Sequence, residues 1–371
     1  MSASSVIAEI QSQLRRSWAP PSGNAPALMR VTTMNLVVVS TSPDAVDRYT
    51  HVVDDVVQAI PARTLLVSID HTNPVTDLEG DAATVASSGA GTNLVSERIR
   101  LLAKGDTSLR IASVVEALLV PELPTAIVWL GRVHVTDPTL QSMAELSQRF
   151  ILDTEYTSIT SLLALTKWIR EEHGNTYVAD LAWTRLSPWQ ELVARFFDRD
   201  AADLADSIDS IEITQASEKG AKVGSEGALL LGWLGSRMGW KVSRLGGRLS
   251  FARPDGKAVK VVFKSIPRPE GVAPLALAGV SISAAANGDT LSGSIVRELA
   301  SGTAGATVDA DVLAWRSSRA GGAPHEQHVR LGANKGAKWL TRTLQRPAND
   351  PSLTEAARFA CEFYDDDVVC Q

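Results

Sequence analysis

Apolar segments typical of buried strands alternate with amphipathic segments through the first half of the chain. Residues 31–40, 63–69 and 125–130 are continuous, β-branched runs, as expected of strands that are covered on both faces. Residues 42–60 and 158–172 repeat apolar side chains with a helical period, which is typical of helices that pack on such strands. Strand, helix, strand at this spacing predicts a parallel sheet with right-handed crossovers.

After residue 240 the apolar period changes from helical to alternating. Gly246-Gly247 and Asn287-Gly288 are two-residue hairpin signals between alternating segments, so an antiparallel meander is expected. Residues 226–238 predict a helix that is apolar nearly all round, and such a helix belongs inside a protein. The predicted fold class is therefore α/β plus α+β: an N-terminal three-layer α/β domain with a mainly parallel sheet, then a mainly antiparallel sheet domain backed by helices.

The same patterns divide the chain into four predicted segments. Residues 1–30 are a docking helix and linker, 31–178 the α/β domain, and 179–206 a junction segment with its helix. Residues 207–371 are the α+β domain, which holds the antiparallel meander and the C-terminal helices. Residues 72–91 are rich in Asn, Asp, Thr, Ser and Gly and are expected to be irregular.

The junction segment begins with an unusual sequence, ADLAWTRLSPW. Ser187 and Pro188 have the residue types of an N-cap and a first helical position, so a helix is expected to begin there. Trp189 shares the apolar face of that helix and is expected in the core. Trp183 and Arg185 are less constrained: an exposed Trp–Arg pair has the composition of an interface hot spot, whereas a buried Trp beside a structural Arg salt bridge is the alternative.

Composition and charge exclude several classes of protein. The formal net charge is -6, from 36 basic and 42 acidic side chains, which disfavours a nucleic-acid binder with a basic surface. The two cysteines, Cys361 and Cys370, cannot form a disulfide framework, so a reducing compartment is expected. No signal peptide and no apolar run long enough for a membrane helix is recognised, so we expect a cytoplasmic protein that binds no membrane.

The chain contains no local catalytic or cofactor motif that we recognise. Phosphate-binding loops, zinc-protease helices, Cys-x-x-Cys pairs and nucleophile elbows are absent from the sequence, and His325 and His328 lack a third nearby ligand. We therefore predict no metal and no cofactor. Polar residues do follow predicted parallel strands, where open α/β sheets bind ligands, and the positions concerned are Asp70, His71, Gly131 and Asp153. A small-molecule site at this edge is the alternative prediction.

Three segments resemble the OpcA family of glucose-6-phosphate dehydrogenase assembly proteins. They are LLVPELPTAIVWL at 118–130, ADLAWTRLSPWQELVARFFD at 179–198 and LLLGWLGSRMGW at 229–240. Their order and spacing extend the resemblance over residues 30–345. Many members carry cysteines just before the glutamate that is matched by Glu97, whereas this chain has Val95-Ser96 there. If those cysteines sense redox state, this chain lacks that device.

The resemblance implies a non-catalytic factor that binds glucose-6-phosphate dehydrogenase and promotes its active oligomer. Such a protein supports the oxidative pentose phosphate pathway and NADPH supply, and needs no cofactor. The alternative is a sugar-phosphate-binding enzyme or metabolite sensor that uses the strand ends of the α/β domain. The positions of the family motifs that we predict to bind the partner are Trp129, Asp180, Trp183, Arg185 and Trp189. Alanine at both 183 and 185 is expected to weaken partner binding and leave the fold intact.

Overall fold

The structure, a computed structural model, describes residues 2–18, 29–86, 94–245, 248–299, 311–332, 336–347, 349–364 and 370. The chain divides into two compact units. The first comprises Met1–Leu181 and Lys335–Asn349, and the second comprises Ala182–Asn334 and Asp350–Gln371. No helix in the described part of the chain is long and apolar enough to cross a membrane.

The helices, in chain order, are α1 (Ala3–Ser17), α2 (Pro43–Ala59), α3 (Ile111–Leu118), α4 (Pro138–Glu145), α5 (Ile159–Glu172), α6 (Leu181–Arg195), α7 (Ser225–Arg237), α8 (Gly336–Gln345) and α9 (Pro351–Phe363). Two 3-10 helices, Gly105–Arg110 and Arg199–Ser207, precede α3 and follow α6. Asp137 caps α4, because its carboxylate accepts the Thr139 amide at 2.8 Å.

The strands of the first unit are β1 (Met29–Arg30), β2 (Met34–Ser40), β3 (Ala62–Asp70), β4 (Asp77–Ala86), β5 (Leu94–Lys104), β6 (Thr125–Leu130), β7 (Arg149–Leu152) and β8 (Tyr177–Asp180). Their order is β1-β5-β3-β2-β6-β7-β8, and every pair along this path is parallel. β4 lies antiparallel to β5. The mainly parallel sheet predicted for this part of the chain is confirmed.

The strand β4 contradicts the irregular structure predicted for residues 72–91. On the face that carries Gly80, Leu78 is the one large apolar residue of the strand, so its own side chains give only a weak strand signal. Helix α1 supplies the missing apolar cover: a Cβ added to Gly80 would lie 2.8 Å from Ile10 Cδ1. The amide of Ala82 donates to Gln13 Oε1 at 2.7 Å, which satisfies a donor on this edge strand. Helix α1 thus packs on β4, while residues 87–91 of the stretch predicted to be irregular lie outside the described residues.

Helix α8 belongs to the first unit, although the sequence assigned residues 335–344 to the second domain. Ala337 and Leu340 are buried in the same core cluster as Val52 and Val53 of α2. The Arg149 guanidinium donates to the carbonyl of Arg346 at 2.8 Å and also to that of Thr343. An amphipathic pattern shows which face of a helix is buried but not which sheet covers it.

The strands of the second unit are β9 (Ile208–Ala216), β10 (Lys241–Leu245), β11 (Arg248–Ala252), β12 (Ala258–Ile266), β13 (Leu277–Ala286), β14 (Asp289–Leu299), β15 (Asp311–Arg319) and β16 (His325–Gly332). They form one sheet in the order β10-β11-β12-β9-β13-β14-β15-β16, in which only β12 and β9 pair in parallel. The mainly antiparallel sheet is therefore confirmed. So is the Asn287-Gly288 hairpin, whose φ values of 53° and 83° suit a tight turn. Gly246-Gly247 lies outside the described residues.

Helices α7 and α9 cross closely in the second unit. Gly232 faces the backbone of Ala356, and Gly235 faces the ring of Phe359. Phe359 and Phe363 also pack on Phe251, with ring centroids 6.5 Å and 5.5 Å apart. The apolar surface of α7, which the sequence placed inside the protein, is thus covered by a second helix.

The helix predicted to start at Ser187 begins six residues earlier, so that prediction is wrong. Helix α6 starts at Leu181 and carries Pro188 in its interior. Pro188 has no N–H to offer the carbonyl of Thr184, one turn before it. The Ser187 hydroxyl donates to that carbonyl at 2.7 Å instead. Ser-Pro therefore continues this helix, because the serine supplies the hydrogen bond that the proline omits.

Candidate partner-binding site

Asp180 ends β8 and is almost fully buried. Its two carboxylate oxygens accept hydrogen bonds from Thr154, one from the amide at 2.9 Å and one from the hydroxyl at 2.8 Å. Thr154 follows β7, the neighbouring parallel strand. The carboxylate therefore holds two strand ends together within the first unit.

Trp129 lies inside the first unit near the end of β6. Its indole nitrogen donates to the carbonyl of Arg132 at 3.1 Å, and its ring stacks on Phe150 with centroids 6.1 Å apart. The side chain is buried. Packing within its own unit explains both the ring and its polar nitrogen.

Trp183 links the start of α9 to α6 in the second unit. Its indole nitrogen donates to Asp350 Oδ2 at 2.7 Å, and only 4% of the residue is exposed. The other carboxylate oxygen of Asp350 accepts the Ser352 amide at 3.0 Å and so caps α9. Trp183 thus orients the cap of a helix through a hydrogen bond to a charged group.

We expect Trp183→Phe to lower the free energy of unfolding by about 1–3 kcal/mol, because it removes this hydrogen bond from a carboxylate. Equilibrium urea denaturation measures the change. Trp168→Phe is the matched control, since the Trp168 indole nitrogen makes no hydrogen bond to the described residues and its ring contact is to His173. An equal effect of both substitutions would show that ring size, rather than the hydrogen bond, determines the loss.

Arg185 forms a buried ion pair with Glu226 of α7. Arg185 Nε donates to Glu226 Oε1 at 2.6 Å, and Glu226 Oε2 accepts the Leu277 amide at 3.0 Å. Burial disfavours the ionised carboxyl, but the charges of Arg185 and Arg297 and these hydrogen bonds outweigh it. The pKa of Glu226 is consequently lowered from its ordinary value.

Trp189 occupies the core of the second unit, as its helical pattern predicted. The Arg297 guanidinium carbon lies 5.8 Å from the centroid of its ring, a cation–π distance. The buried Nε of Arg297 has no hydrogen-bond partner among the residues that the structure describes. This cluster of Arg185, Glu226, Arg297 and Trp189 therefore joins α6 and α7 to β14.

The sequence missed Glu226 and Arg297 as members of this cluster. One signal was available: Glu226 is a carboxylate at the start of a helix that is otherwise apolar on all sides, and such a charge requires a partner. Nothing local marks Arg297, which meets the cluster only through the sheet. The five predicted positions are divided between the two units: Trp129 and Asp180 lie in the first, and Trp183, Arg185 and Trp189 in the second. Direct contact with a partner stays a prediction for all of them.

The prediction that alanine at both 183 and 185 leaves the fold intact conflicts with these contacts. Trp183 is buried and hydrogen-bonded to Asp350, and Arg185 neutralises the buried carboxylate of Glu226. Loss of stability is the expected result of that double substitution. The alternative kept open for this pair, a buried Trp beside a structural Arg salt bridge, describes the observed geometry.

The polar residues that follow the parallel strands are occupied by local hydrogen bonds. Asp70 accepts from Asn73 Nδ2 at 3.0 Å and from the hydroxyl of Thr72 at 2.9 Å, and these bonds lower its pKa. His71 Nδ1 lies 2.7 Å from Ser108 Oγ. Asp153 Oδ1 accepts the Glu155 amide at 3.0 Å. Turn formation accounts for these groups, and a small-molecule site among them and Gly131 stays a prediction.

The environment of Cys370 is not that of a reactive thiol. Burial raises the pKa of Cys370 to about 11, which keeps its thiol protonated and weakly nucleophilic near neutral pH. Cys361 lies in α9 and is partly buried. No group of three or more His, Cys, Asp or Glu side chains that could hold a metal ion occurs in the part of the chain that the structure describes.

Comparison with known families defines the class of protein. Residues 53–166 match the N-terminal domain, and residues 176–357 the C-terminal domain, of a family described as the glucose-6-phosphate dehydrogenase subunit. The two matched domains together cover most of the chain and meet near the boundary between the compact units. The chain belongs to this family, the OpcA family.

Curated relatives of the same family come from cyanobacteria. A putative OxPP cycle protein OpcA from Synechococcus elongatus is 32% identical over 168 residues, which are 42% of this chain and 36% of the relative. The protein of the same description from Synechocystis is 30% identical over 152 residues, which are 40% of this chain and 30% of the relative. The matched segment thus spans about a third of the length of these relatives.

Among solved structures, a 3-ketoreductase from Actinomadura kijaniata aligns with 89% of this chain and 95% of its own. The TM-score is 0.47 and the sequence identity 11%. A similarity at this level supports no inference about activity.

Proposed function

We propose that this protein is a non-catalytic assembly factor that binds glucose-6-phosphate dehydrogenase and promotes its active oligomer. In that role it supports NADPH supply through the oxidative pentose phosphate pathway. The observation that supports the proposal is the match to both domains of a family described as a subunit of that dehydrogenase. The cyanobacterial relatives, named as proteins of the oxidative pentose phosphate cycle, agree with the same pathway.

The mechanism that we propose is preferential binding. A protein that binds the active oligomer and not its dissociated subunits shifts the equilibrium towards the oligomer. At a free concentration about 100 times the Kd, such binding contributes about 2.7 kcal/mol, roughly a 100-fold change in that equilibrium. No chemistry on a substrate is required of the assembly factor.

The test combines the purified protein with the dehydrogenase from the same organism. We expect the two to co-elute from a sizing column, the dehydrogenase to move towards a larger oligomer, and its activity at low enzyme concentration to rise. The gain should vanish at high enzyme concentration, because the oligomer then forms unaided. Absence of co-elution together with unchanged kinetics would contradict the proposal.

A second arm of the same test examines the metabolite-sensor alternative. The melting temperature of the protein alone is measured with glucose 6-phosphate, 6-phosphogluconate and NADP. We expect no shift with any of them. A saturable shift with one ligand, without binding to the dehydrogenase, would favour the alternative.

A further inference from the structure

Three apolar side chains project from the edge of the first unit where its parallel strands end. Val75 is 60% exposed, Leu109 is 59% exposed and Tyr156 is 65% exposed. The remaining exposed large apolar residues in the described part of the chain range only from 36% to 39%. The three most exposed large apolar side chains in the described part of the chain therefore lie at the same edge of one sheet.

Sheet topology explains why these three residues share an edge. Val75 follows β3, Leu109 follows β5 and Tyr156 follows β7, and these strands are parallel members of one sheet. The segments that follow parallel strands lie along the same edge. We define the carboxyl-edge surface as residues 70–77, 104–110, 131–137 and 153–158.

Hydrogen bonds between neighbouring segments hold the carboxyl-edge surface in shape. The Thr107 hydroxyl donates to the carbonyl of Asp77 at 2.6 Å, which joins the segments that carry Val75 and Leu109. The Val133 amide donates to Thr157 Oγ1 at 3.1 Å, which joins the segment after β6 to the one that carries Tyr156. Because the segments are already ordered, a partner that binds there loses little free energy in ordering them.

The carboxyl-edge surface is also acidic. It carries six carboxylates against the three basic side chains Lys104, Arg110 and Arg132. The carboxylates are Asp70, Asp77, Asp106, Asp137, Asp153 and Glu155. An anionic metabolite such as a sugar phosphate is repelled by this charge, whereas a protein surface with basic side chains is attracted.

We propose that the carboxyl-edge surface is the docking surface for a protein partner that presents basic side chains around apolar recesses. Val75, Leu109 and Tyr156 enter those recesses, and the surrounding carboxylates pair with the basic groups. The inference rests on the proposed function, under which the partner is glucose-6-phosphate dehydrogenase. It replaces the small-molecule interpretation of this edge by a protein-binding one.

The first experiment removes the apolar anchors. Val75→Ser, Leu109→Ser and Tyr156→Ser are combined in one variant, and its Kd for the purified dehydrogenase is measured by isothermal titration calorimetry. We expect a Kd about 30-fold higher or more, as for the loss of interface hot spots. The control variant combines Ile266→Ser and Val296→Ser, which are 37% and 39% exposed in the second unit and should leave the Kd unchanged.

A second experiment tests the charge. Asp106→Lys should slow association about tenfold at low salt, and the difference from wild type should shrink as salt screens the charges. Glu218→Lys makes the same charge change at an exposed position of the second unit and should not alter the rate. Association is measured by stopped-flow fluorescence or surface plasmon resonance.

The outcomes separate the docking surface from the proposed function. If the wild-type protein does not bind the dehydrogenase, both proposals fail. If the wild type binds and the triple serine variant binds equally well with an unchanged melting temperature, the docking surface is wrong and the proposed function stands. A weaker complex for the triple variant, with the control variant unaffected, supports both.

Discussion

Arg185→Ala is expected to lower the free energy of unfolding by about 3–5 kcal/mol, because it leaves a buried carboxylate without its ion-pair partner. Glu226 accepts one hydrogen bond from Arg185 at 2.6 Å and one from the Leu277 amide at 3.0 Å. After the substitution the Leu277 amide and the charge of Arg297 remain, among the described groups, to compensate for burial. Equilibrium urea denaturation at pH 7 measures the loss.

The matched control is Arg195→Ala on the same helix. Arg195 is exposed, so its removal should change the free energy of unfolding by no more than about 0.5 kcal/mol. A comparable loss in both variants would mean that helix propensity or net charge, rather than the pair with Glu226, explains the effect.

The pH dependence provides an independent check on the same pair. The pKa of Glu226 is lowered in the folded wild type, so its ionised form stabilises the fold above the unfolded pKa. That contribution is lost as the pH falls through the lowered folded pKa. In Arg185→Ala we expect the buried carboxyl to titrate above its unfolded pKa, so the variant should be penalised at neutral pH. The stability difference between the two proteins should therefore shrink as the pH falls, first through the raised pKa of the variant and then through the lowered pKa of the wild type.

Gly232→Ala is expected to cost about 3 kcal/mol or more, at the upper end of the range for overpacking. A Cβ at this position would lie 2.2 Å from the Ala356 carbonyl oxygen and 3.0 Å from its carbon. Both atoms belong to the backbone of α9, so the two helices must separate to admit the methyl group. The separation also disturbs the contact between Gly235 and the Phe359 ring.

Gly227→Ala in the same helix is the control for this prediction. Its added Cβ would meet Ile213 Cγ2 at 3.2 Å, an atom at the end of a side chain that can move slightly. Thermal unfolding of both variants should give a much larger decrease in Tm for Gly232→Ala. Similar decreases in Tm would show that α7 and α9 separate more easily than their close contact indicates.

An element could be predicted from the sequence when its own residues show how it is buried, and not when distant residues supply the contacts. Strands such as β2 and β6 can be recognised from the sequence, because continuous β-branched residues suit a strand that is buried on both faces. β4 does not, because the apolar cover over Gly80 comes from α1, more than sixty residues earlier in the sequence. The helix start predicted at Ser187-Pro188 was wrong for another reason, because the same two residues can cap a helix or continue one.

The candidate site shows the same division. The sequence identified Trp183 and Arg185 as notable and left open whether they are exposed or buried. That question is decided by Asp350 and Glu226, which lie far along the chain and meet them only in the folded second unit. The exposed Val75, Leu109 and Tyr156 were not identified at all, because a single apolar residue in a turn is an ordinary feature of sequences.

Helix α8 belongs to the first unit but follows most of the second unit in the sequence, and this order has a consequence for biosynthesis. The first unit contains residues up to Leu181 and again from Lys335 to Asn349, so the ribosome makes most of the second unit in between. At about 5–20 residues per second, this delay is on the order of 10 s. During that time the stripe of α2 that includes Val52 and Val53 lacks the cover that Ala337 and Leu340 later supply. The nascent chain is therefore a predicted client for chaperones that bind exposed apolar segments until α8 has been made.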